Sequence, residues 1–255
     1  MKTWYFGIVL GMIVMMLACS QKDPDAMDAG ASQAECKQPA QNKVMDFSAL
    51  AVGKSYYPLV EGAKWVYRHE GGSTVWEENI VLEAATDGSG DLVSVDTPGP
   101  SGSHTKSVLT VDGQYVYRAK KEVYVGDTLD SRVEYDPGFA RFDMSWLAVE
   151  TGCTLELSYA RKEWDGYGVL QRDGDRSHVY SVVKTDASVS VPAGKFKGCL
   201  VIERARLSGT ALASDEEDNK EFTFCPGVGK VLEKELLTGK TESLTSCDIP
   251  GGKCP

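Results

Sequence analysis

The residues with the most chemistry to offer are seven cysteines: Cys19, Cys36, Cys153, Cys199, Cys225, Cys247 and Cys254. No two form a C-x-x-C pair, and His69, His104 and His178 stand alone with no metal-ligand spacing around them. The thiols therefore read as disulfide partners rather than metal ligands, and no metal or cofactor is expected. Setting Cys19 aside leaves an even number. Cys199 and Cys225 sit in β-like segments close in sequence and form one expected pair. Cys247 and Cys254 bracket the turn-rich run Asp248-Ile249-Pro250-Gly251-Gly252-Lys253 and form a second, which leaves Cys36 to Cys153.

Other catalytic patterns are weak. Ser103-His104-Thr105-Lys106 matches S-x-x-K, but it follows Pro98-Gly99-Pro100-Ser101-Gly102 in a loop running into a strand, so the one-turn helical spacing that lets lysine activate serine is lost. Glu77 and Glu78 are adjacent in a strand and point to opposite faces, so they cannot act as a carboxylate pair. Asp215-Glu216-Glu217-Asp218 reads as a solvated hairpin tip. No catalytic residue is assigned, and the chain is expected not to be an enzyme. Three aromatics in the less regular middle, Trp146, Trp164 and Tyr167, are the candidate ligand contacts, since exposed rings beside carboxylates can stack on sugars or grip peptides.

The elements that must position these residues begin with the N-terminus. Lys2 precedes an apolar run from Trp4 to Leu17, which ends at Ala18-Cys19-Ser20. The run has the length of a signal-peptide core and is too short to span a bilayer. A small residue followed by cysteine resembles the lipobox of bacterial lipoproteins, although Met16 and Leu17 depart from its usual residues. By that resemblance residues 1–18 are a signal peptide, Cys19 carries lipid, and Ser20 after it implies the outer rather than the inner membrane. Residues 20–42 are mostly Ser, Gln, Asp, Ala, Lys and Pro, with no aromatic and almost no aliphatic residue apart from Ala. Such a composition cannot bury enough surface to fold, so residues 19–50 read as a disordered tether with a reach of roughly 25–30 Å. The formal net charge is −10. With no basic stripe, nucleic acid is excluded as a partner.

From Lys64 onward the apolar period is two. Lys64-Trp65-Val66-Tyr67-Arg68, Gln114-Tyr115-Val116-Tyr117-Arg118 and Thr154-Leu155-Glu156-Leu157-Ser158-Tyr159 each alternate strictly. Turn chemistry separates the runs at Asp87-Gly88, Asp112-Gly113, Asp136-Pro137-Gly138, Asp173-Gly174 and Thr238-Gly239. Residues 51–255 are thus expected to be mainly β, a strongly curved antiparallel sheet or partly open barrel, with a subdivision near 137–150. Only Lys43 to Val52 reads as a short helix.

Two stretches carry a family likeness: Tyr56-Tyr57-Pro58-Leu59-x-x-Gly62-x-x-Trp65-x-Tyr67, and Val191-Pro192-Ala193-Gly194-x-Phe196-x-x-Cys199-Leu200-x-Ile202 with Cys225-Pro226-Gly227-Val228-Gly229-x-Val231. Together they resemble uncharacterised bacterial lipoproteins and periplasmic β-proteins. The resemblance implies a curved antiparallel sheet and no particular activity. The function expected is a non-enzymatic lipoprotein of the cell envelope, anchored to the membrane through its N-terminal lipid and binding a protein or envelope component. The alternatives are a carrier of a hydrophobic ligand in a barrel-like cavity and a carbohydrate-binding module. A filled core favours the first, a closed apolar pocket the second and an open aromatic groove the third.

Overall fold

The structure, a computed structural model, describes residues 50–72, 74–208, 211–212 and 219–255. The expected signal peptide, Cys19, the tether, Cys36, most of the helix predicted at 43–52, and the acidic run 215–218 lie outside those residues. The described part of that helix contributes to a single 3-10 turn, Val52–Lys54.

The strands are β1 (Lys64–Glu70), β2 (Trp76–Ala84), β3 (Leu92–Asp96), β4 (Ser103–Asp112), β5 (Tyr115–Val125), β6 (Thr128–Asp143), β7 (Thr154–Asp165), β8 (Leu170–Val191), β9 (Gly194–Ser208), β10 (Ala211–Leu212), β11 (Lys220–Cys225), β12 (Gly229–Glu235) and β13 (Thr241–Asp248). Every pairing is antiparallel. The sheet runs in order from β11 through β12, β13 and β1 to β8, and β9 pairs with both β8 and β11. The curved sheet is therefore a closed barrel of twelve strands, with β10 extending β9 as a short hairpin. Closure gives each of the twelve barrel strands a neighbour on both sides.

Two predicted breaks fall inside strands. Asp136-Pro137-Gly138 lies within β6, where the register against β5 shifts between Arg118 and Lys120. Gly138 has φ +151, and a Cβ there would stand 2.6 Å from Tyr117 Cβ, so only glycine fits at this bulge. Asp173 and Gly174 pair in regular register with Lys162 and Arg161 inside β8, so this Asp-Gly does not reverse the chain. The register of β8 against β9 shifts between Lys184 and Ala187, and β8 continues through it. β6 runs through residue 137 and continues into a 3-10 turn, Met144–Leu147.

One end of the barrel, the base, is packed solid. Phe142, Trp146, Tyr180 and Phe224 form its centre, with Trp146–Tyr180 centroids 5.0 Å apart, Phe142–Trp146 5.3 Å and Phe142–Phe224 5.2 Å. Asp143 caps the 3-10 turn by accepting from the Ser145 backbone N–H at 2.8 Å, and it also accepts from Gln114 Nε2 at 3.0 Å. Residues 50–60 lie against the base. Tyr56 Oη donates to the Gly198 carbonyl at 2.7 Å, and the Gly227 N–H donates to Ser55 O at 2.7 Å. Cys199 is bonded to Cys225 and Cys247 to Cys254. Cys153 is also disulfide-bonded, while its expected partner lies outside the described residues.

On the outside of the barrel, Glu77, Asn79, Glu83, Glu156 and Lys162 are exposed at mid-strand positions. Charges there do not form the apolar outer band that a membrane-spanning barrel presents to lipid.

Candidate functional site

Above the packed base the barrel opens into a chamber of about 650 Å³, to which every one of the twelve barrel strands contributes a lining residue. The division follows from alternation along the strands. On β9 the inward positions run Leu200, Ile202, Arg204, Arg206, and on β8 they run Tyr180, His178, Arg176 toward the mouth. Apolar and aromatic side chains fill the lower levels, and arginines line the upper ones.

The lining holds ten Lys and Arg against four Asp and Glu, in a chain whose net charge is −10. The charges are unevenly spread. On the side formed by β2, β3, β12 and β13 the acids gather around lysine. Lys230 Nζ lies 2.8 Å from Glu233 Oε2 and 2.5 Å from Glu242 Oε1, and 4.9 Å above the Tyr67 ring. Lys220 Nζ lies 2.5 Å from Glu233 Oε1. Burial alone would raise the Glu233 carboxyl, but the two lysines outweigh it and hold it well below the usual range. Glu242 is pushed up instead, by burial first and by Glu233 beside it. Asp96 is likewise raised by burial and by Glu78, while Thr105 Oγ1 donates to it.

The opposite wall, from β5 to β9, is cationic. Arg161 pairs with Glu163 at 2.9 Å, and Arg172 reaches the same carboxylate at 3.7 Å. Arg204 is only 7% exposed, with its guanidinium 5.1 Å from the Phe139 centroid and 5.0 Å from that of Phe222. Arg118 is buried next to Arg141; burial and that neighbouring cation both lower it from the ordinary arginine range. Tyr57, Tyr135 and Tyr159 complete this side of the lining.

The mouth is framed by the β1–β2, β3–β4, β5–β6, β7–β8 and β12–β13 turns. Among the described residues, the large exposed apolar side chains are Val75, Val125, Tyr167, Val169, Leu170, Leu236 and Leu237 on these turns or beside them, with Val111 alone at the other end.

The aromatic candidates are not brought together. Trp146 is 1% exposed in the base. Trp164 ends β7, with Arg132 4.7 Å from its ring centroid, and Tyr167 is 96% exposed at the β7–β8 turn. Trp146 stacks on Tyr180, which pairs with Leu155, nine positions before Trp164 on β7 and so ~30 Å away. Trp146 shares no groove with the other two, and its burial removes it as a ligand contact. Ser103 and Lys106 both lie in β4, three positions apart and so on opposite faces, and Lys106 covers the Tyr124 ring at 5.1 Å.

His69 does not stand alone. It lies with Glu78 and Glu242 so that one ligand-type atom from each falls within 4.8 Å of the others, and its ring stacks on Trp76 at 4.0 Å. Lys230 already neutralises Glu242, so a metal ion there would have to displace it. The sequence offered a barrel-like cavity only as an alternative and an apolar one; the charged lining was not foreseen. The available signal was Arg204 and Arg206 continuing the inward register of Leu200 and Ile202, which in an open sheet reads as an exposed strand end.

No protein-family model matches this chain, and no curated protein matches it. Among solved structures, the fold is similar to a protein named as exported, with a YmcC-like fold, from Bacteroides fragilis NCTC 9343, at TM-score 0.42 and 12% identity over 76% of this chain and 99% of that one. It is also similar to a protein named as a lipoprotein from Parabacteroides distasonis ATCC 8503, at TM-score 0.37 and 13% identity over 77% of this chain and 99% of that one.

Proposed function

We propose that this chain is a non-enzymatic, lipid-anchored binding protein of the bacterial cell envelope, and that the barrel chamber holds its ligand. The observation that carries the reading is the chamber: about 650 Å³, packed shut below and lined from all sides by a rigid closed sheet. That volume falls within the range of roughly 300–1,000 Å³ typical of small-molecule sites. The chamber is neither the closed apolar pocket of a carrier for a purely hydrophobic molecule nor an open aromatic groove for a glycan. Its floor is aromatic and its walls are charged, which suits a ligand with both an apolar and a polar part. The apolar turns around the mouth suit transfer of such a ligand from a membrane or a partner surface. Anchoring rests on the Ala18-Cys19-Ser20 sequence and the polar stretch after it.

The test is to purify the full chain from a native bacterial host, extract it with organic solvent and identify the released molecules by mass spectrometry. A stoichiometric small molecule is expected from the wild type. It should be absent from Ser94→Trp, which puts an indole into the chamber from β3. Equal recovery from both proteins would refute the chamber as the binding site. Intact mass should show acylation of the wild type and none of Cys19→Ser.

A further inference from the structure

We infer that the species gripped in the chamber is an organic anion, carrying a phosphate or carboxylate group that docks on Arg118, Arg141 and Arg204. The inference rests on the chamber being a ligand site and assigns the chemistry of that site. Three observations converge on it. The lysines across the chamber are already matched by carboxylates, whereas no carboxylate of the described residues lies within ion-pair distance of these three arginines. Each of the three has a buried Nε–H with no hydrogen-bond acceptor. Arg118 and Arg141 line the chamber from the adjacent strands β5 and β6, near enough for the Arg141 charge to act on Arg118.

A folded protein seldom retains buried donors without partners, because each has lost its hydrogen bonds to water with nothing in exchange. Three in one chamber, all on guanidinium groups, mark a place where an acceptor belongs. The planar guanidinium fork matches carboxylate and phosphate oxygens in pairs, which an ammonium cannot do. Arg204 is also pre-positioned: Phe139 and Phe222 hold it by its faces and leave the donors on its rim to a ligand. The same rings, with Tyr135 and Tyr159, give the ligand an organic body to lie on, so a bare inorganic anion would leave most of the chamber unfilled.

The experiment is calorimetric titration of the full chain, stripped of bound material and held in non-ionic detergent. The probes are phenyl phosphate, inorganic phosphate, dihexanoyl phosphatidic acid and the uncharged dihexanoylglycerol. Arg118→Met, Arg141→Met and Arg204→Met are titrated alongside Arg68→Met, which alters an exposed arginine paired with Glu70 outside the chamber. At least one organic phosphate should bind more tightly than inorganic phosphate and than dihexanoylglycerol. Each chamber variant should lose about 10- to 100-fold in affinity, the value of a charged hydrogen bond, while Arg68→Met binds like wild type. Binding of phosphatidic acid alone would identify a lipid headgroup as the source; binding of phenyl phosphate as well would identify a soluble organic anion.

Thermal melting separates this role from a structural one. Arg118→Met without ligand should melt at or above the wild-type temperature, because an unpaired buried cation has been removed, and it should lose the rise that phosphate ligands give the wild type. Equal binding of the uncharged probe, or undiminished binding by the arginine variants, would overturn the anion assignment and leave the chamber reading intact. Failure of every probe to bind, together with an empty solvent extract, would overturn both.

Discussion

Replacing Lys230 with Met should destabilise the barrel strongly, and by an amount that depends on pH in a defined direction. Lys230 is the shared counter-ion of Glu233 and Glu242, and all three side chains are only 12–13% exposed. Removing it leaves two carboxylates enclosed with Lys220, which reaches Glu233 alone of the pair. Breaking a buried pair in this way costs about 3–5 kcal/mol. For a domain of this size a kcal/mol moves the melting temperature by roughly 2–4 °C, so a fall of about 6–20 °C is expected at pH 7.

The direction with pH follows from the carboxylates. In the wild type Glu233 is held well below its ordinary value, so its contribution is present above ~4.3 and is lost as pH falls through the depressed value. In Lys230→Met the main opposing charge is gone and burial dominates, lifting Glu233 and Glu242 above their unfolded values. That variant gains stability as pH falls and these groups take up protons. The gap between the two proteins should therefore narrow steadily from pH 7 toward ~4.5, and Lys230→Met/Glu242→Gln should recover part of the loss. Melting followed by circular dichroism at four or five pH values is sufficient. A Lys230→Met melting temperature within 2 °C of wild type (roughly 1 kcal/mol or less) at pH 7, or a gap that widens on acidification, would refute the reasoning.

Two further outcomes test the frame around the chamber. Cys199 and Cys225 close a loop with a sequence separation of 26, so Cys199→Ser/Cys225→Ser should lose about 3.5 kcal/mol in urea unfolding. Gly138→Ala should cost at least the ~1–3 kcal/mol of a strained backbone position, because its φ is +151 and the new Cβ would meet Tyr117 Cβ at 2.6 Å and Cγ at 2.8 Å; Tyr117→Ala removes the Cγ contact and should relieve part of that loss in the double variant.

Most strands were legible because period-two alternation is local. Lys64–Arg68 and Thr154–Tyr159 fall in β1 and β7 as read, since alternate residues there are more deeply covered. Reading failed where turn-type residues sit inside a continuous strand. Asp136-Pro137-Gly138 lies at a bulge of β6, and Asp173-Gly174 lies in regular pairing with β7, so neither reverses the chain. Closure was beyond a local reading: β8 meets β9 through a hairpin, but the partnership that completes the ring, β9 with β11, spans β10 and its connections.

The charged lining of the chamber was invisible for the same reason. Arg118, Arg141 and Arg204 come from β5, β6 and β9, and each alone reads as a charge on the solvent side of a strand. Only a closed ring makes an inward face of both apolar and charged positions. Lys230, Glu233 and Glu242 were missed likewise, since the sequence places them in separate strands with no motif to join them. His69 looked solitary because Glu78 and Glu242 reach it across β1–β2 and β1–β13 pairing rather than along the chain.

The central claim is that the barrel's upper half is a ligand chamber and that an anion sits against its arginine wall. A crystal structure of the full chain purified from its native host, without stripping, tests it most directly. The account predicts continuous density in the chamber, with an acidic group within hydrogen-bonding distance, about 3 Å, of the guanidinium groups of Arg118, Arg141 and Arg204. A chamber holding only water, or one whose arginines are paired to carboxylates of the chain itself, would contradict it.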